Sequence, residues 1–252
     1  MNSLAILILT KDEEENISSV VENAKKCTDE VIIIDSGSTD RTVELAKQSG
    51  AIVSFRAWDG DFSAQRNFAL MQTTADWILY LDADERLNDE LITAIHHVVD
   101  SKPLDAQYVL TRKSVAFETI FNHGVLYPDH VARLFPRTCV KWVNKVHENP
   151  ECDLPLQQLP GHIEHHTYKD WHQWEEKLCL YTTIWAEDAY KRGKHTSKSG
   201  IFLHSLGGFF KMFVLRAGFL DGWMGTYMCC NHFFYTMLKY LKLYELQQKK
   251  EK

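Results

Sequence analysis

The most constraining feature of the sequence is a series of short, continuously apolar runs in its first hundred residues, separated by segments with helical periodicity. Runs of Val, Ile and Leu without alternation indicate strands that are buried on both faces, as in parallel sheets covered by helices. We therefore expect an α/β fold with a mostly parallel, twisted sheet and right-handed crossovers. The predicted strands are residues 3–9, 30–35, 51–55 and 77–82, and the predicted helices are residues 13–26, from Thr39 or Asp40 to 49, and 63–71.

Three carboxylates follow the fourth predicted strand. Asp82, Asp84 and Glu85 lie within four residues in the segment WILYLDADE, residues 77–85. Ligands bind at the carboxyl edge of open α/β sheets, and carboxylates this close repel one another unless a cation or a proton lies between them. The segment therefore indicates a ligand or cation site, or alternatively a solvated turn in which Asp84 or Glu85 lies at a helix N-terminus. No GxGxxG follows the first strand, which argues against a dinucleotide site.

The composition favours a globular intracellular protein. A chain of 252 residues that is 45% apolar can form one large domain, or one domain with a helical appendage. Its six cysteines have no CxxC or zinc-finger spacing, which predicts free thiols in a reducing cytosol. The apolar start LAILIL is six residues long and soon reaches KDEEE, so it does not have the features of a signal peptide.

Charge is distributed unevenly along the chain. Residues 191–252 contain 11 Lys and Arg against 3 Asp and Glu, a net charge of +8, while the remainder contains 17 against 31, a net charge of −14. A basic end on an acidic body predicts an anionic surface as partner. Because this basic part is strongly apolar and has no nucleic-acid motif, we expect a membrane surface and no nucleic acid.

The second half of the sequence has two parts. The pattern of residues 104–168 predicts short strands in AQYVLTRK, HVARLF and CVKWV. The sequence between these strands contains prolines and many histidines. Residues from 169 onward predict helices, and their longest uncharged stretch, 222–238, has 17 residues. That length is marginal for a membrane span and suits a helix lying in the membrane interface. Helices that pack on the domain, or that form a homodimer interface, are the alternative.

Eight motifs occur in an order that resembles the inverting family-2 glycosyltransferases of GT-A fold. The first four are LTKDEEENI, DSGSTDRT, QRNFAL and DADE. The others, YPDHVARLFPR, KWVNKVHE, GHIEHHTY and GFLDGWMG, resemble a bacterial subgroup that includes lipopolysaccharide-core β-glucosyltransferases. The resemblance implies a Rossmann-like GT-A catalytic domain over residues 1–168 and a C-terminal helical region over 169–252. Within the domain, residues 1–100 would form the nucleotide-sugar half and 101–168 the acceptor half.

This resemblance implies a function and a set of site residues. The expected reaction moves a hexose, with glucose the expected sugar, from a UDP-sugar to a lipopolysaccharide or lipooligosaccharide core at the inner face of the cytoplasmic membrane. Asp82, Asp84 and His165 would bind Mg²⁺ or Mn²⁺, which prefer hard oxygen ligands, and His147 is an alternative to His165. The implied donor-binding residues are Thr10, Lys11, Glu13, Asp35, Gln65, Arg66, Asn67, Asp82 and Ala83.

An inverting transfer also needs a carboxylate that removes the proton from the acceptor hydroxyl in a single displacement. Many family-2 enzymes have an ED pair for this step, and residues 100–170 contain none. The candidates are Glu148 and Asp129, and the resemblance favours Glu148. For either residue the alternative is an ordinary salt bridge to Arg133 or Arg137.

Two other classes of function are consistent with parts of the sequence. Aspartate-based phosphatases also have a DxD after an apolar strand, but there it follows the first strand, whereas three strand–helix units come first here. A non-catalytic nucleotide-sugar-binding module with a membrane-associated tail is the second alternative. Within the enzyme class, a peptide or another glycolipid could replace the lipopolysaccharide core as acceptor.

Overall fold

The computed structural model describes residues 2–101, 103–145 and 148–250. His147, the alternative candidate histidine, lies outside these described residues. The chain divides into two compact units: the first contains Met1–Arg112 and Asp129–His165, and the second contains Lys113–Pro128 and His166–Lys252. The functional division into domains 1–168 and 169–252 stays a prediction.

Within the described residues, strands and helices alternate in the first part of the chain, whereas the later strands and the last three helices form separate runs. The strands are β1 Leu4–Thr10, β2 Glu30–Asp35, β3 Ile52–Phe55, β4 Trp77–Asp82, β5 Glu85–Leu87, β6 Gln107–Ala116, β7 Thr119–Ile120, β8 Asp129–Pro136, β9 Lys141–Val143, β10 Asn149–Glu151 and β11 Leu156–Tyr168. The helices are α1 Ile17–Ala24, α2 Thr42–Gln48, α3 Phe62–Leu70, α4 Asp89–Ser101, α5 Trp171–Lys191, α6 Lys198–Phe210 and α7 Gly222–Lys250.

The sheet of the first unit has the strand order β3–β2–β1–β4–β8–β6–β11–β5. The first four strands are parallel, and their register pairs Thr10 with Asp35 and Leu9 with Asp82. The carboxyl ends of β1, β2 and β4 therefore meet at one edge. Beyond β4 the pairings of β8 with β4 and with β6 are antiparallel, as is that of β11 with β5.

The parallel strands are buried on both faces, as their unbroken apolar runs predict. Successive side chains of a strand point to opposite faces, so Ile6 and Ile8 pack with α1, α2 and α4, while Leu7 packs with α3 on the other side. Trp77 and Tyr80 on β4 are fully buried, one in each core. The expected α/β fold class is confirmed, with helices on both faces of the sheet.

Several boundaries differ from the prediction for reasons that lie elsewhere in the chain. Helix α1 begins at Ile17 rather than residue 13, because the preceding turn is held by distant side chains. The backbone N–H groups of Glu13 and Glu14 donate to Thr42 and Asp40. The interpretation of the acidic segment as a helix cap is wrong for Glu85, which begins β5.

Gly161 explains one of the motifs, GHIEHHTY, in structural terms. It lies in β11 with a φ of +83°, and a Cβ atom there would lie 2.7 Å from the Cα atom of Leu91 at the start of α4. Asn88 links the start of α4 to β11 at this point, because its side-chain oxygen accepts hydrogen bonds from the N–H groups of Leu91 and His162. Only glycine fits both the dihedral angle and the space.

The second unit is mainly helical, and its longest element is α7. Asp170 and Ser197 cap α5 and α6 by accepting hydrogen bonds from backbone N–H groups of the first turn. One apolar cluster joins α5 and α7 to the segment around Phe121, and another joins α5, α6 and α7 around Ala189 and Leu243. None of the helices in the described residues is long and apolar enough to cross a membrane.

The motif GFLDGWMG forms the tight connection into α7. The carboxylate of Asp221 is almost fully buried and accepts hydrogen bonds from the N–H groups of Asn122 and His123, and from the His123 ring. Side chains at Gly218 or Gly225 would collide with neighbouring atoms, since a Cβ on Gly225 would lie 2.7 Å from the Cβ of Asp221. The motif is therefore accounted for by packing within this unit.

The close approach at Gly161 can be tested by a single methyl group. We expect Gly161→Ala to lower the free energy of unfolding by about 1–3 kcal/mol more than Gly60→Ala does, because overpacking is added to backbone strain. Gly60 is the matched control, since its φ is +81° and no atom lies within 4 Å of the position that an added methyl group would occupy. Urea denaturation followed by circular dichroism measures both variants. Equal losses of stability would contradict the packing argument.

Candidate functional site

A cavity of about 490 Å³ opens at the carboxyl edge of the parallel strands, within the first unit. Loops after β1, β2, β3 and β4 contribute to its wall, together with α3 and the segment before β10. This is the position at which α/β sheets bind ligands, and the volume suits a small organic molecule. The lining residues are Leu9, Thr10, Lys11, Glu13, Ser36, Trp58, Phe62, Gln65, Arg66, Asp82, Ala83, Asp84, Glu148 and His165.

Most of the candidate residues from the sequence come together in this cavity. Those that line it are Thr10, Lys11, Glu13, Gln65, Arg66, Asp82, Ala83, Asp84, Glu148 and His165. Asp35, Asn67 and Asp129 are not among the lining residues. Their side chains have partners elsewhere, and the roles assigned to them from the sequence stay predictions.

Arginine side chains neutralise two of the three carboxylates after β4, those of Asp82 and Glu85. Arg66 on α3 donates to one carboxylate oxygen of Asp82 over 3.1 Å, and Arg133 on β8 donates to the other over 2.7 Å. Arg133 also contacts Glu85, which is fully buried, over 2.9 Å, and Arg112 on β6 contacts the same oxygen over 3.2 Å. The turn is thus held by ion pairs from three different elements.

The charges of this cluster stabilise one another's ionised forms. Burial on its own would raise the pKa of Asp82, but Arg133 and Arg66 outweigh burial and hold that pKa far below its usual range. Burial likewise opposes the charge of Arg133, and the carboxylates of Asp82 and Glu85 raise its pKa above the usual value. Both oxygens of Asp82 therefore face guanidinium groups, and its role as a cation ligand stays a prediction.

Asp84 points to a different partner. Its carboxylate lies 3.1 Å from Nε2 of His165 on β11, and both side chains line the cavity. Glu13 lies near this pair, and its pKa is raised, chiefly by burial and further by the charge of Asp84, although a hydrogen bond from Asn16 opposes the shift. Within residues 2–101, 103–145 and 148–250, no three His, Cys, Asp or Glu side chains gather as a preformed metal site.

Glu148 and Asp129, the two candidate bases, have different surroundings. Glu148 lines the cavity, and Arg66 contacts its Oε1 atom through Nε and Nη2 at 3.4 and 3.3 Å. Asp129 forms a two-pronged ion pair with Arg112 at 2.6 and 3.0 Å. Burial opposes ionisation of Asp129, but Arg112 outweighs it and lowers the pKa.

The salt bridges considered for these two residues from the sequence are formed with other partners. Arg133 pairs with Asp82 and Glu85, and Arg137 donates to the carbonyl oxygen of Ala75. The partners of Glu148 and Asp129 are instead Arg66 and Arg112, on α3 and β6. Neither pair could be predicted from the sequence, because the partners are far apart along the chain. Glu148 comes 82 residues after Arg66, and Asp129 comes 17 residues after Arg112.

Asp35 and Asn67 stabilise the frame of the cavity. The carboxylate of Asp35 accepts hydrogen bonds from the N–H groups of Gly37 and Ser38 and therefore holds the turn after β2. The amide of Asn67 exchanges two hydrogen bonds with the backbone of Trp142, at 2.8 and 2.9 Å. Asn67 thereby fastens β9 to α3.

Three buried polar atoms of the cavity lack a partner among the described residues. They are Oγ1 of Thr10, Oε1 of Gln65 and Nη1 of Arg66. A buried polar atom without a hydrogen bond costs roughly 1–3 kcal/mol, so such atoms point to a ligand or to water. The amide nitrogen of Gln65 donates to the carbonyl of Arg56, which fixes the orientation of its side chain.

Trp58 and Phe62 are cavity residues that were not predicted from the sequence. Their rings lie 4.5 Å apart in an edge-to-face arrangement, and both remain partly exposed. Aromatic rings of this kind bind the flat faces of bases and sugars. The loop that carries Trp58 follows the short strand β3 and contains no recognised motif. The two aromatic residues shortly before QRNF are the sequence feature that could have indicated these cavity residues.

The sequence has clear relatives. Residues 5–142 match the family model for glycosyl transferase family 2. An uncharacterized glycosyltransferase of Rickettsia typhi is 30% identical to the chain, over 99% of the chain and 89% of the relative. The chain belongs to glycosyl transferase family 2. The observed α/β fold, with helices on both faces of the sheet, is the one expected for this family.

Solved structures also resemble this family-2 glycosyltransferase. A structure of GalNAc-T7 with UDP, GalNAc and Mn²⁺ has a TM-score of 0.50 and 12% identity, over 66% of this chain and 44% of the other. Glucosyl-3-phosphoglycerate synthase from Mycobacterium tuberculosis has a TM-score of 0.36 and 21% identity, over 46% and 44% of the two chains. The chain spans less than half the length of these solved structures.

The buried ion pairs of the candidate site can be tested through Arg133. Arg133→Met leaves the buried Glu85 with Arg112 as its one remaining described arginine partner, so we expect the free energy of unfolding to fall by about 3–5 kcal/mol. Adding Glu85→Gln should recover part of this loss, because it removes the buried negative charge that Arg133 no longer neutralises. Arg41→Met, which breaks the exposed pair with Glu44, is the control and should have little effect. A full loss in the double variant would contradict the ion-pair explanation.

The raised pKa of Glu13 gives a pH-dependent prediction. Ionisation of this carboxyl is less favourable in the folded state than in the unfolded state, so its contribution to stability falls as pH rises above its usual value of 4.5. We therefore expect Glu13→Gln to have a higher Tm than the wild type at pH 7, and the difference to vanish near about pH 4. Glu22→Gln, on the exposed face of α1, should show no such trend. A lower Tm of Glu13→Gln at pH 7 would contradict the sign.

Proposed function

We propose that this family-2 glycosyltransferase moves a hexose, with glucose the expected sugar, from a UDP-sugar to a lipopolysaccharide-core acceptor by an inverting single displacement. The observation that carries the proposal is the cavity at the carboxyl edge of the parallel strands, whose wall includes three residues that each have a buried polar atom without a partner among the described residues. Such a cavity is prepared to bind a ligand that has both hydrogen-bond donors and acceptors. A nucleotide-sugar, with a base, hydroxyl groups and a diphosphate, meets this requirement.

The cavity offers groups of suitable chemistry to each part of the donor. Gln65 is buried in the cavity wall, and its fixed acceptor oxygen, which has no partner among the described residues, would suit an N–H of the base. The buried Nη1 atom of Arg66 also has no partner among the described residues, while the other guanidinium nitrogens contact Asp82 and Glu148. An N–H of that Nη1 atom would suit a phosphate oxygen or a base carbonyl. The exposed rings of Trp58 and Phe62 suit stacking on a flat face of the donor.

Asp84 and His165 fit a divalent cation. Their oxygen and nitrogen donors lie 3.1 Å apart at the cavity wall, and a diphosphate would supply further oxygen ligands. Mn²⁺ or Mg²⁺ bound there would neutralise the diphosphate and make UDP a better leaving group. UDP and Mn²⁺ occur together in the solved GalNAc-T7 structure, which supports the same pairing here. The roles of the chain's own residues are to hold the cation and to orient the diphosphate beside Arg66.

Glu148 is the carboxylate that we propose as the general base. It lines the cavity, and Arg66 and the link between Asn67 and Trp142 hold the segment that carries it. Asp129 is the weaker candidate, because Arg112 occupies both its oxygens and lowers its pKa, which makes it a poorer proton acceptor. In the transfer, Glu148 would take the proton of the acceptor hydroxyl while that oxygen attacks the anomeric carbon and UDP departs.

The proposed acceptor rests on the resemblance of the later motifs to the lipopolysaccharide-core subgroup. The basic and apolar composition of residues 191–252 supports a glycolipid acceptor and peripheral association with the inner face of the cytoplasmic membrane. A peptide or another glycolipid acceptor would leave the donor chemistry unchanged. A homodimer formed through the C-terminal helices would be compatible with any of these acceptors.

The choice of base gives a direct test of the mechanism. We expect Glu148→Gln to lower kcat for sugar transfer by about 10²–10⁴-fold with little change in the KM for the UDP-sugar, because general-base catalysis contributes that much. Asp129→Asn is the matched control and should retain most of the activity. UDP release in the presence of Mn²⁺ and a core-oligosaccharide acceptor measures both variants.

Two outcomes would contradict this assignment. If Asp129→Asn lost activity and Glu148→Gln kept it, the base would be Asp129. If both variants kept wild-type activity, the proposed single displacement with a carboxylate base at either position would be wrong. An unchanged Tm in each variant excludes unfolding as the cause of any loss.

A further inference from the structure

The second unit exposes an unusual amount of apolar side chain between α6 and the start of α7. Leu215 and Trp223 are 71% and 74% exposed, and many neighbours along the chain are nearly as accessible. Soluble surfaces rarely expose apolar residues in such a dense run. The other exposed apolar residues of this segment are Phe202, Leu203, Leu206, Phe210, Val214, Phe219, Leu220 and Tyr227. We call this set, with Leu215 and Trp223, the apolar surface.

The apolar surface is organised rather than scattered. On α6, Phe202, Leu206 and Phe210 follow one another at intervals of four residues, so they lie on one helical face. Ile201 and Ser205 on the opposite side are buried against the rest of the unit. One face of α6 is therefore buried against the unit, and another face still exposes bulky apolar side chains to solvent.

The sequence segment that carries the apolar surface is rich in basic residues. Between Asp188 and Glu245 the sequence contains a single carboxylate, that of Asp221, against eight lysines and arginines. Asp221 is buried and its oxygens accept hydrogen bonds from Asn122 and His123, so it adds no exposed acidic side chain. Lys198, Lys211 and Arg216 are exposed among or beside the apolar residues.

From this combination we infer that the apolar surface is a membrane-docking surface, and that its partner is a bilayer containing anionic phospholipid. Leucine and phenylalanine side chains would enter the boundary between headgroups and acyl chains, and Trp223 and Tyr227 suit the headgroup level. Lys198 and Lys211 would reach phosphate groups with their ammonium ends. Since none of the described helices can cross a membrane, docking would occur from one side.

A second copy of the chain fits this surface less well. A twofold contact between two copies of this segment would bring together two basic segments, and the segment between Asp188 and Glu245 has no exposed carboxylate to neutralise them. Anionic headgroups supply the missing negative charge. The inference extends the proposed function, in which the acceptor is a glycolipid, by identifying the surface that would meet the membrane. The observations that support this surface come from the second unit alone.

Vesicle co-sedimentation of the full chain tests the inference without any donor or acceptor. We expect binding to vesicles of phosphatidylcholine mixed with phosphatidylglycerol, and at least about tenfold weaker binding to phosphatidylcholine alone. The variant Leu215→Gln/Trp223→Gln should lose about tenfold or more in the partition coefficient. The matched control is Phe55→Gln/Met71→Gln in the first unit, where the side chains are 65% and 72% exposed, and it should bind like the wild type.

A charge variant separates electrostatic from apolar contributions. Lys198→Gln/Lys211→Gln should weaken binding to the anionic vesicles and leave the weak binding to phosphatidylcholine unchanged, whereas Lys26→Gln/Lys47→Gln, at exposed positions of the first unit, should have no effect. Circular dichroism melting confirms that each variant is folded.

The inference would be overturned if the wild type did not bind anionic vesicles, or if the two apolar variants lost binding equally. It would also be overturned if sedimentation velocity showed a dimer that Leu215→Gln/Trp223→Gln dissociates, with no vesicle binding by the wild type. Hydrolysis of a UDP-sugar without vesicles reports on the donor site independently. Failure of the docking surface and failure of the proposed reaction are therefore distinguishable.

Discussion

The buried contact of Arg133 with Asp82 and Glu85 is the interaction on which the rest of the candidate site depends. Repulsion between carboxylates so close in sequence would otherwise open the turn after β4, and Glu85 is fully buried. Asp82 and Glu85 are neutralised by arginines, whereas Asp84 contacts His165 in the wall of the cavity. The ion pairs therefore divide the acidic segment into a structural part and a part that remains available to a ligand.

Arg66 extends this arrangement to the opposite wall of the cavity. Its guanidinium group contacts Asp82 and Glu148, and its Cζ atom lies 4.6 Å from the centre of the Trp142 ring. Trp142 is in turn fastened to α3 by Asn67. One side chain thus joins the end of β4 to the segment that carries the proposed base, and a nitrogen of the same side chain is left without a described partner. A change at Arg66 would therefore affect both the proposed donor site and the position of Glu148.

The parts of the fold that were predicted from the sequence depend on local patterns. The first four strands and the edge at which Thr10, Asp35 and Asp82 meet follow from apolar runs and their order. Strand β11 was missed because its proline, glycine and histidines hide the period of a strand, and β5 has three residues. The partners of the acidic residues could not be predicted either, because Arg66, Arg112 and Arg133 reach them from elements far along the chain. Trp58 and the exposed face of α6 carry no motif, so only the three-dimensional structure shows their surroundings.

The most direct test of the proposed donor site is UDP release by the wild-type protein from a panel of UDP-sugars, with and without Mn²⁺. Slow hydrolysis of one UDP-sugar that requires the metal, stops with chelator and is lost in Asp84→Ala is the expected result, and it would also identify the sugar. If no UDP-sugar were hydrolysed and none raised the Tm, the cavity would not be a donor site for these compounds. A non-catalytic binding function, or a different nucleotide, would then explain the site better.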